Sequence, residues 1–369
     1  MERITCCTAW QVDGFLLNPG SDIRVGPFGE NEVSLRFYSS DSEDIGVCIP
    51  KTPTDEIFAK CVIEIPKPAV AALAAVHDSL TPLRDESLIS RVPPSIGLSE
   101  QSQLDRQHAP GAVAEILTKP PASLRDVRDK VSKITQDAAI HLLRLLRWRA
   151  VRDFHFQVSG RTGVFWMSPL DGLWRRVPGG PPKPASGFGI KAGISDWPHY
   201  VEEINEMLTS GTQPGTSFDL LCEARHLSKS RPHLALIEAV QALEIGTKEA
   251  IVRLCPSNSW LVENSPSPPV EKLLVKYIPT LISNAKAKDI YVEFFSKQKQ
   301  DDLKKIVLQR NELTHRTGRI AITSESVEFA CDLVGDCLYK LDLACGQSWA
   351  ELALWNREAI AALFKITTS

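Results

Sequence analysis

The hydrophobic period changes once along this chain, and that change limits what it can fold into. Near the N-terminus, Val33, Leu35 and Phe37 alternate with polar neighbours, the two-residue period of a half-buried strand. Short apolar runs at 45–49 and 61–65, bounded by Pro and Asp, read the same way, and a short helix follows at 68–77. From residue 195 onward, three- and four-residue spacing dominates. It predicts helices at 195–208, 216–228, 232–254, 270–285, 289–315, 324–345 and 348–364. The expected architecture is an α+β N-terminal module followed by an all-α helical bundle. A length of 369 residues accommodates two domains.

Between these parts lies a change of charge. Residues 1–118 carry 9 Lys/Arg against 17 Asp/Glu, residues 119–191 carry 14 against 5, and the rest carry 19 against 23. The segment 81–121 is rich in Pro, Ser, Gln and Gly and reads as a long loop. A helix then starts after Pro120-Pro121, with Ser123 as its N-cap. Leu124, Val127, Val131, Ile134, Ala138, Leu142 and Leu145 form its apolar stripe, while Arg125, Arg128, Lys130, Lys133, Arg144, Arg147 and Arg149 give it a basic side. Strands are expected at 154–158, 163–167 and 173–177. The resulting division is an acidic, strand-rich part (1–118), a basic helix with short strands (119–193), a helical domain (194–346) and a C-terminal helix (347–369). Gly346 closes one helix, and Ser348 with Glu351 form a capping box for the last. The basic segment reads either as a solvated face or as an RNA-binding patch through Arg144, Arg147 and Arg149. Phe165, Trp166 and Trp174 lie among Arg161, Arg175 and Arg176, an arrangement that stacks bases in some proteins, but aromatics in strands more often fill a core.

Several function classes fall away. The net charge of −3 points by itself to no polyanionic partner. No run approaches the ~18–20 apolar residues of a membrane span, and Met1 to Cys7 lacks the charged and apolar regions of a secretory signal. The expectation is a soluble, cytoplasmic protein with no membrane partner. Nine cysteines are scattered without a Cys-x-x-Cys pair, which suits reduced thiols packed as small hydrophobes and suggests no metal site. The glycines from Gly187 to Gly193 are wrongly spaced for a dinucleotide fingerprint. Neither a Walker loop, a His-Glu-x-x-His nor a Gly-x-Ser-x-Gly elbow is present, so no cofactor is expected.

What remains is Arg310-Asn-Glu-Leu-Thr-His315, at the end of a helix marked by Leu303, Ile306 and Val307. Positions five apart lie about 140° apart around a helix, and the long Arg stem can swing its guanidinium towards the imidazole. The two groups suit phosphodiester cleavage without a metal. An imidazole moves a proton near neutral pH, a guanidinium clamps two phosphate oxygens, and RNA supplies its own 2′-hydroxyl nucleophile. The spacing also arises by chance: Arg149 and His155 are a decoy that lacks the Asn. Alternatively, Arg310 and His315 simply complement a helix C-terminus.

The motif resembles the Arg-x4–6-His signature of the HEPN superfamily, whose common form has Asn directly after the Arg. The upstream helix containing Leu234-Ala-Leu-Ile-Glu-Ala-Val-Gln-Ala-Leu-Glu244 is similar to that of its Apea-like branch, and the likeness covers about 216–346. The resemblance implies a HEPN-like helical bundle and, in active members, a metal-independent endoribonuclease acting as a homodimer through the C-terminal helical domain. Carried over by position, Arg310 binds the scissile phosphate, His315 is the acid/base and Asn311 orients one or the other. Glu244 is a candidate for site support, and Arg316 adds a cation for RNA where the family often has a small residue. The implied role is an effector of bacterial antiphage defence, abortive infection or toxin-like stress response. A trigger or antitoxin protein is a candidate partner, and the N-terminal module would sense or regulate. The competing reading is a non-catalytic HEPN-like dimerisation or nucleic-acid-binding module. A transcriptional regulator using the basic segment ranks last, because no helix-turn-helix spacing is present.

Overall fold

The computed structural model describes residues 1–13, 15–17, 23–37, 56–80, 82, 111–149, 156–160, 163–178, 192–194, 201–264, 269–315, 321–347 and 349–351. An N-terminal mixed β/α region precedes a largely helical C-terminal region. The chain divides into two compact units, one of 1–145 with 156–213 and one of 146–155 with 214–369. The first therefore holds both the acidic segment and nearly all of the basic one. The expected strand at 45–49, most of the loop at 81–121, Ser348 and most of the helix at 348–364 lie outside the described residues, while the described end of that expected loop is helical over Gly111–Thr118.

In the first unit the strands are β1 (Glu2–Asp13), β2 (Phe15–Leu17), β3 (Ile23–Phe28), β4 (Val33–Phe37) and β5 (Glu56–Ile65), then β6 (Gln157–Gly160), β7 (Phe165–Met167), β8 (Trp174–Arg176) and β9 (Ala192–Ile194). The helices are α1 (Lys67–Val76), α2 (Gly111–Thr118), α3 (Ala122–Arg149), whose residues from Leu146 on count with the second unit, and α4 (Val201–Thr209). The main sheet runs β3-β4-β5-β1-β7-β8, with β6 also on β1, and every neighbouring pair is antiparallel. β2 and β9 pair in parallel as a separate ribbon.

β1 is the hub, and the alternation rule misses it for a physical reason. Cys6, Cys7, Thr8, Ala9 and Trp10 are all buried, so this central strand has no polar face to alternate with. One face meets α3, where Trp10 Nε1 donates to Thr135 Oγ1 at 3.1 Å. The other face joins Cys7, Phe58, Phe165 and Trp174 in an apolar cluster. Cys6 and Cys61 stand directly opposite each other in β1 and β5. Burial pushes both thiols up, Cys61 to about 12. α3 buries Leu124, Val127, Val131, Ala138, Leu142 and Leu145, close to the stripe read from its spacing, while Ile134 is only half-buried. At the far edge α4 packs on β3, where Asn205 Oδ1 accepts from the Gly26 amide at 3.0 Å.

The second unit contains α5 (Thr216–Leu227), α6 (Pro232–Leu254), α7 (Ser259–Glu263), α8 (Val270–Lys272), a π turn at Leu273–Tyr277, α9 (Ile278–Leu281), α10 (Ala285–Phe294), α11 (Lys297–His315) and α12 (Ser324–Ala344). α5 and α6 pack together, and α12 lies on both. Gly246 permits this approach, because a Cβ there would collide with Leu338. The helix expected at 289–315 is two: Phe294 and Phe295 both turn into the core, and Ser296 Oγ accepts from the Lys299 amide to open α11. Gly346 takes a φ of +93° just past α12, and the amides of Gly346 and Gln347 return to Leu343 and Asp342.

Candidate functional site

α11 carries the sharpest motif, and its amphipathic pattern decides where Arg310 points. Leu303 and Ile306 are buried at the inward positions, and Arg310 follows at the next helical step. Its guanidinium is thereby carried to α6, where Nη2 donates to Glu244 Oε1. The side chains retain only 15% and 21% of their exposure. Burial lowers the pKa of Arg310 from its ordinary value, which leaves it a cation throughout the working range. Asn311 is half-buried one position on. Thr314 Oγ1 donates to the carbonyls of Arg310 and Asn311 at 3.1 and 3.2 Å, which closes the last turn on itself. His315 ends the helix by its backbone, but its side chain and the whole of Arg316 lie outside the described residues. Two of the expected site residues, Arg310 and Glu244, are therefore brought together from 66 positions apart. Asn311 and His315 share the same terminal turn and a half of α11.

The three arginines expected to bind RNA are not equivalent in their surroundings. Arg149 is buried, with its guanidinium 5.2 Å above the Trp349 ring. Arg147 is paired with Asp219 and nearly covered. Both belong to the second unit, together with Trp148, whose Nε1 donates to the buried Asp342 at 2.8 Å. Burial raises the Asp342 pKa although Arg253 Nη1 donates to it at 2.9 Å. Arg144 lies in the first unit, at a depression of about 440 Å³ lined also by Phe28, Asp137, His141 and Gln213. The exposed side of α3 alternates Arg125, Lys130 and Lys133 with Asp126, Asp129 and Asp137, so the cations there are largely balanced. The surplus charge counted from sequence includes cations folded inward.

Sequence reading missed a charged cluster in the first unit. Arg175 donates from Nη1 and Nη2 to the two Asp171 oxygens at 2.9 and 2.7 Å and from Nε to the His77 carbonyl at 3.0 Å. His77 Nδ1 lies 2.8 Å from Asp78 and Nε2 lies 3.7 Å from Asp171. Arg175's hydrogen bonds hold the Asp171 carboxyl well below the usual carboxylate range. The signal was the four-residue spacing of Asp171 and Arg175 within a hairpin. Every guanidinium nitrogen of Arg175 has a partner, so the cluster joins the turn after α1 to β8.

Among the described residues, no three His, Cys, Asp or Glu side chains gather as a ligand set, and no helix is long and apolar enough to cross a membrane. Comparison with protein-family models, with curated proteins and with solved structures finds no match.

Proposed function

We propose that the helical unit is a HEPN-like, metal-independent endoribonuclease, with Arg310 as phosphate clamp, His315 as acid/base and Asn311 as the group that orients them. The observation that carries this reading is the pairing of Arg310 with Glu244. A single carboxylate oxygen engages one guanidinium nitrogen, which holds the Arg against α6 and leaves other N–H groups to take phosphate oxygens. RNA's 2′-hydroxyl would attack the adjacent phosphorus and release the 5′-oxygen. The products would be a 2′,3′-cyclic phosphate and a 5′-hydroxyl. In-line transfer needs a base and an acid, and a homodimer of the helical unit supplies two copies of His315. An effector role in defence or stress, with the first unit as sensor and a trigger or antitoxin as partner, extends this reading by analogy.

The test is incubation of wild type and His315→Ala with total RNA in EDTA, followed by end-group analysis. Cleavage by wild type alone, with cyclic phosphate termini, is the expected result. Products with 5′-phosphates, or cleavage retained in His315→Ala, would move the chemistry elsewhere. One observation favours the non-catalytic alternative: Arg310 is covered to about the degree of an ordinary interhelical ion pair. A protein that binds RNA without cleaving it in the same assay would select that reading.

A further inference from the structure

The apolar stripe of α3 has one gap. Ile134 is only half-buried, although Val131 before it and Ala138 after it are covered. It lies at the depression of about 440 Å³ in the first unit, a volume within the range of small-molecule sites. Ile140 on the same helix and Phe28 at the end of β3 line it too, and both are likewise half-buried. Hydrocarbon left open to water in a concave place favours a ligand that covers it.

The polar groups beside this hydrocarbon are mostly acceptors. Glu30, in the turn after β3, and Asp137, on α3, are exposed carboxylates, and neither has a hydrogen-bond or ion-pair partner among the described residues. His141, one turn beyond Asp137, donates from Nε2 to the Thr212 carbonyl at 2.7 Å. That bond sets the tautomer and leaves the lone pair on Nδ1. Nδ1 meets no partner among the described residues and stays open to water. Burial lowers the His141 pKa and Arg144 adds to the lowering, so the ring is neutral at pH 7 and Nδ1 accepts. The three acceptors line one depression yet do not gather as a metal-ligand set, which suits a ligand larger than an ion. Arg144 is the cation there. It stands seven residues, about 10 Å of helix, from Asp137, and two carboxylates outweigh it.

The rim is preformed. The Asn31 carbonyl accepts from the Val62 amide at 2.8 Å, which ties the turn carrying Glu30 to β5. On the other side the Thr212 amide donates to the Met207 carbonyl at 2.8 Å and so holds the partner of His141 in place.

We propose that the depression between α3 and the β3–β4 turn is a binding site for a small organic amine. Asp137 and Glu30 seat its ammonium, Nδ1 of His141 accepts one of its N–H groups, and its hydrocarbon lies on Ile134 and Phe28. The site stands independently of the ribonuclease reading, since every one of these residues belongs to the first unit.

The experiment is a ligand-observed NMR titration of the full chain at pH 7 and matched ionic strength with three probes of similar shape: benzylamine, benzyl alcohol and benzoate. Benzylamine should bind wild type about tenfold more tightly than either of the others, the worth of one charge-assisted hydrogen bond. Asp137→Asn combined with Glu30→Gln should weaken benzylamine by about the same factor and leave benzyl alcohol unchanged. Both side chains are exposed and unpaired, so the double variant should melt with the wild type. If it melts lower, Asp137→Asn alone decides by the same criterion. Three results overturn the proposal: benzylamine that binds no tighter than benzyl alcohol, benzoate that binds tighter than benzylamine, or a variant that keeps wild-type affinity for benzylamine.

Discussion

Arg175 in the first unit and Arg310 in the second are both arginines drawn out of water beside a carboxylate, with 6% and 15% of their side chains exposed. They are used differently. Arg175 meets both oxygens of a carboxylate four residues away and a backbone carbonyl besides. Arg310 meets one oxygen of a carboxylate on another helix. A cation with a partner on each of its three nitrogens holds structure together. One that is held by a single contact keeps donors for something that arrives later. The number of nitrogens with a partner, rather than burial or charge, separates the two, and Arg176 extends the series to a cation with both nitrogens of one edge unanswered.

The largest expected effect tests that distinction through activity. Arg310→Lys keeps the charge but loses the planar fork, and RNA cleavage in EDTA should fall by at least the ~10²–10⁴-fold expected of His315→Ala. Arg175→Lys should lower the melting temperature of the first unit and leave the cleavage rate per folded molecule unchanged. The comparison breaks if Arg175→Lys abolishes cleavage in folded protein, or if Arg310→Lys cleaves normally.

A smaller effect sharpens the role of Glu244. Glu244→Gln keeps the shape and removes the charge facing Arg310. Half-buried pairs broken on one side lose about 1–3 kcal/mol, so urea unfolding should show a loss of that order. If Glu244 positions the clamp, kcat/KM should also fall with a larger change in kcat than in KM. A loss of stability with unchanged kinetics would make the pair structural only.

What the sequence revealed depended on how far apart the partners lie. The long helices α5, α6 and α12 of the second unit were legible because each carries its own apolar stripe, and the start of α6 follows from Pro232, whereas the short helix α7 lies in a Pro-rich stretch that reads as loop. The split between α10 and α11 was not, since Phe294 and Phe295 continue a helical pattern while both turn inward. β1 was invisible for the opposite reason: burial on two faces erases the alternation that marks a strand. At the candidate site, Arg310, Asn311 and His315 form a local motif and could be named. Glu244 could be named only through its likeness to a family, and its partner lies 66 residues downstream. The partners of Arg147 and Arg149 were not legible, because periodicity does not tell a cation facing water from one turned towards an acid or an aromatic ring in a distant helix.

Those partners lead to the next expected effect. Arg147→Ala and Arg149→Ala should each destabilise the second unit by about 1–2 kcal/mol, through the lost Asp219 pair and the lost packing on Trp349. Neither should change the slope of RNA affinity against salt, because counterions are released only by cations that reach phosphate. A flattened slope in either variant would restore the basic patch.

The smallest expected effect concerns pH and sets the two units against each other. In the first, burial lowers the pKa of His141 from 6.5, Arg144 adds to the lowering, and the Thr212 carbonyl that accepts from Nε2 at 2.7 Å only partly offsets them. Glu30 and Asp137 line the same depression. The folded state thus holds the His141 proton less tightly than the unfolded chain, so the unit weakens as pH falls below about 6.5 and levels off once the folded pKa is passed. In the second unit the raised pKa of Asp342 has the reverse sign: the folded state gains the proton first, so that contribution improves as pH falls and is lost as pH rises through the folded pKa. Hydrogen exchange followed between pH 7.5 and 5, corrected for intrinsic rates, should therefore show protection in β1 and β5 falling relative to that in α6 and α12. His141→Gln, which cannot titrate, should remove most of the change in the sheet and none in the helices. If the sheet's pH response survives that substitution, His141 is not its source, and the proton that weakens the first unit binds elsewhere.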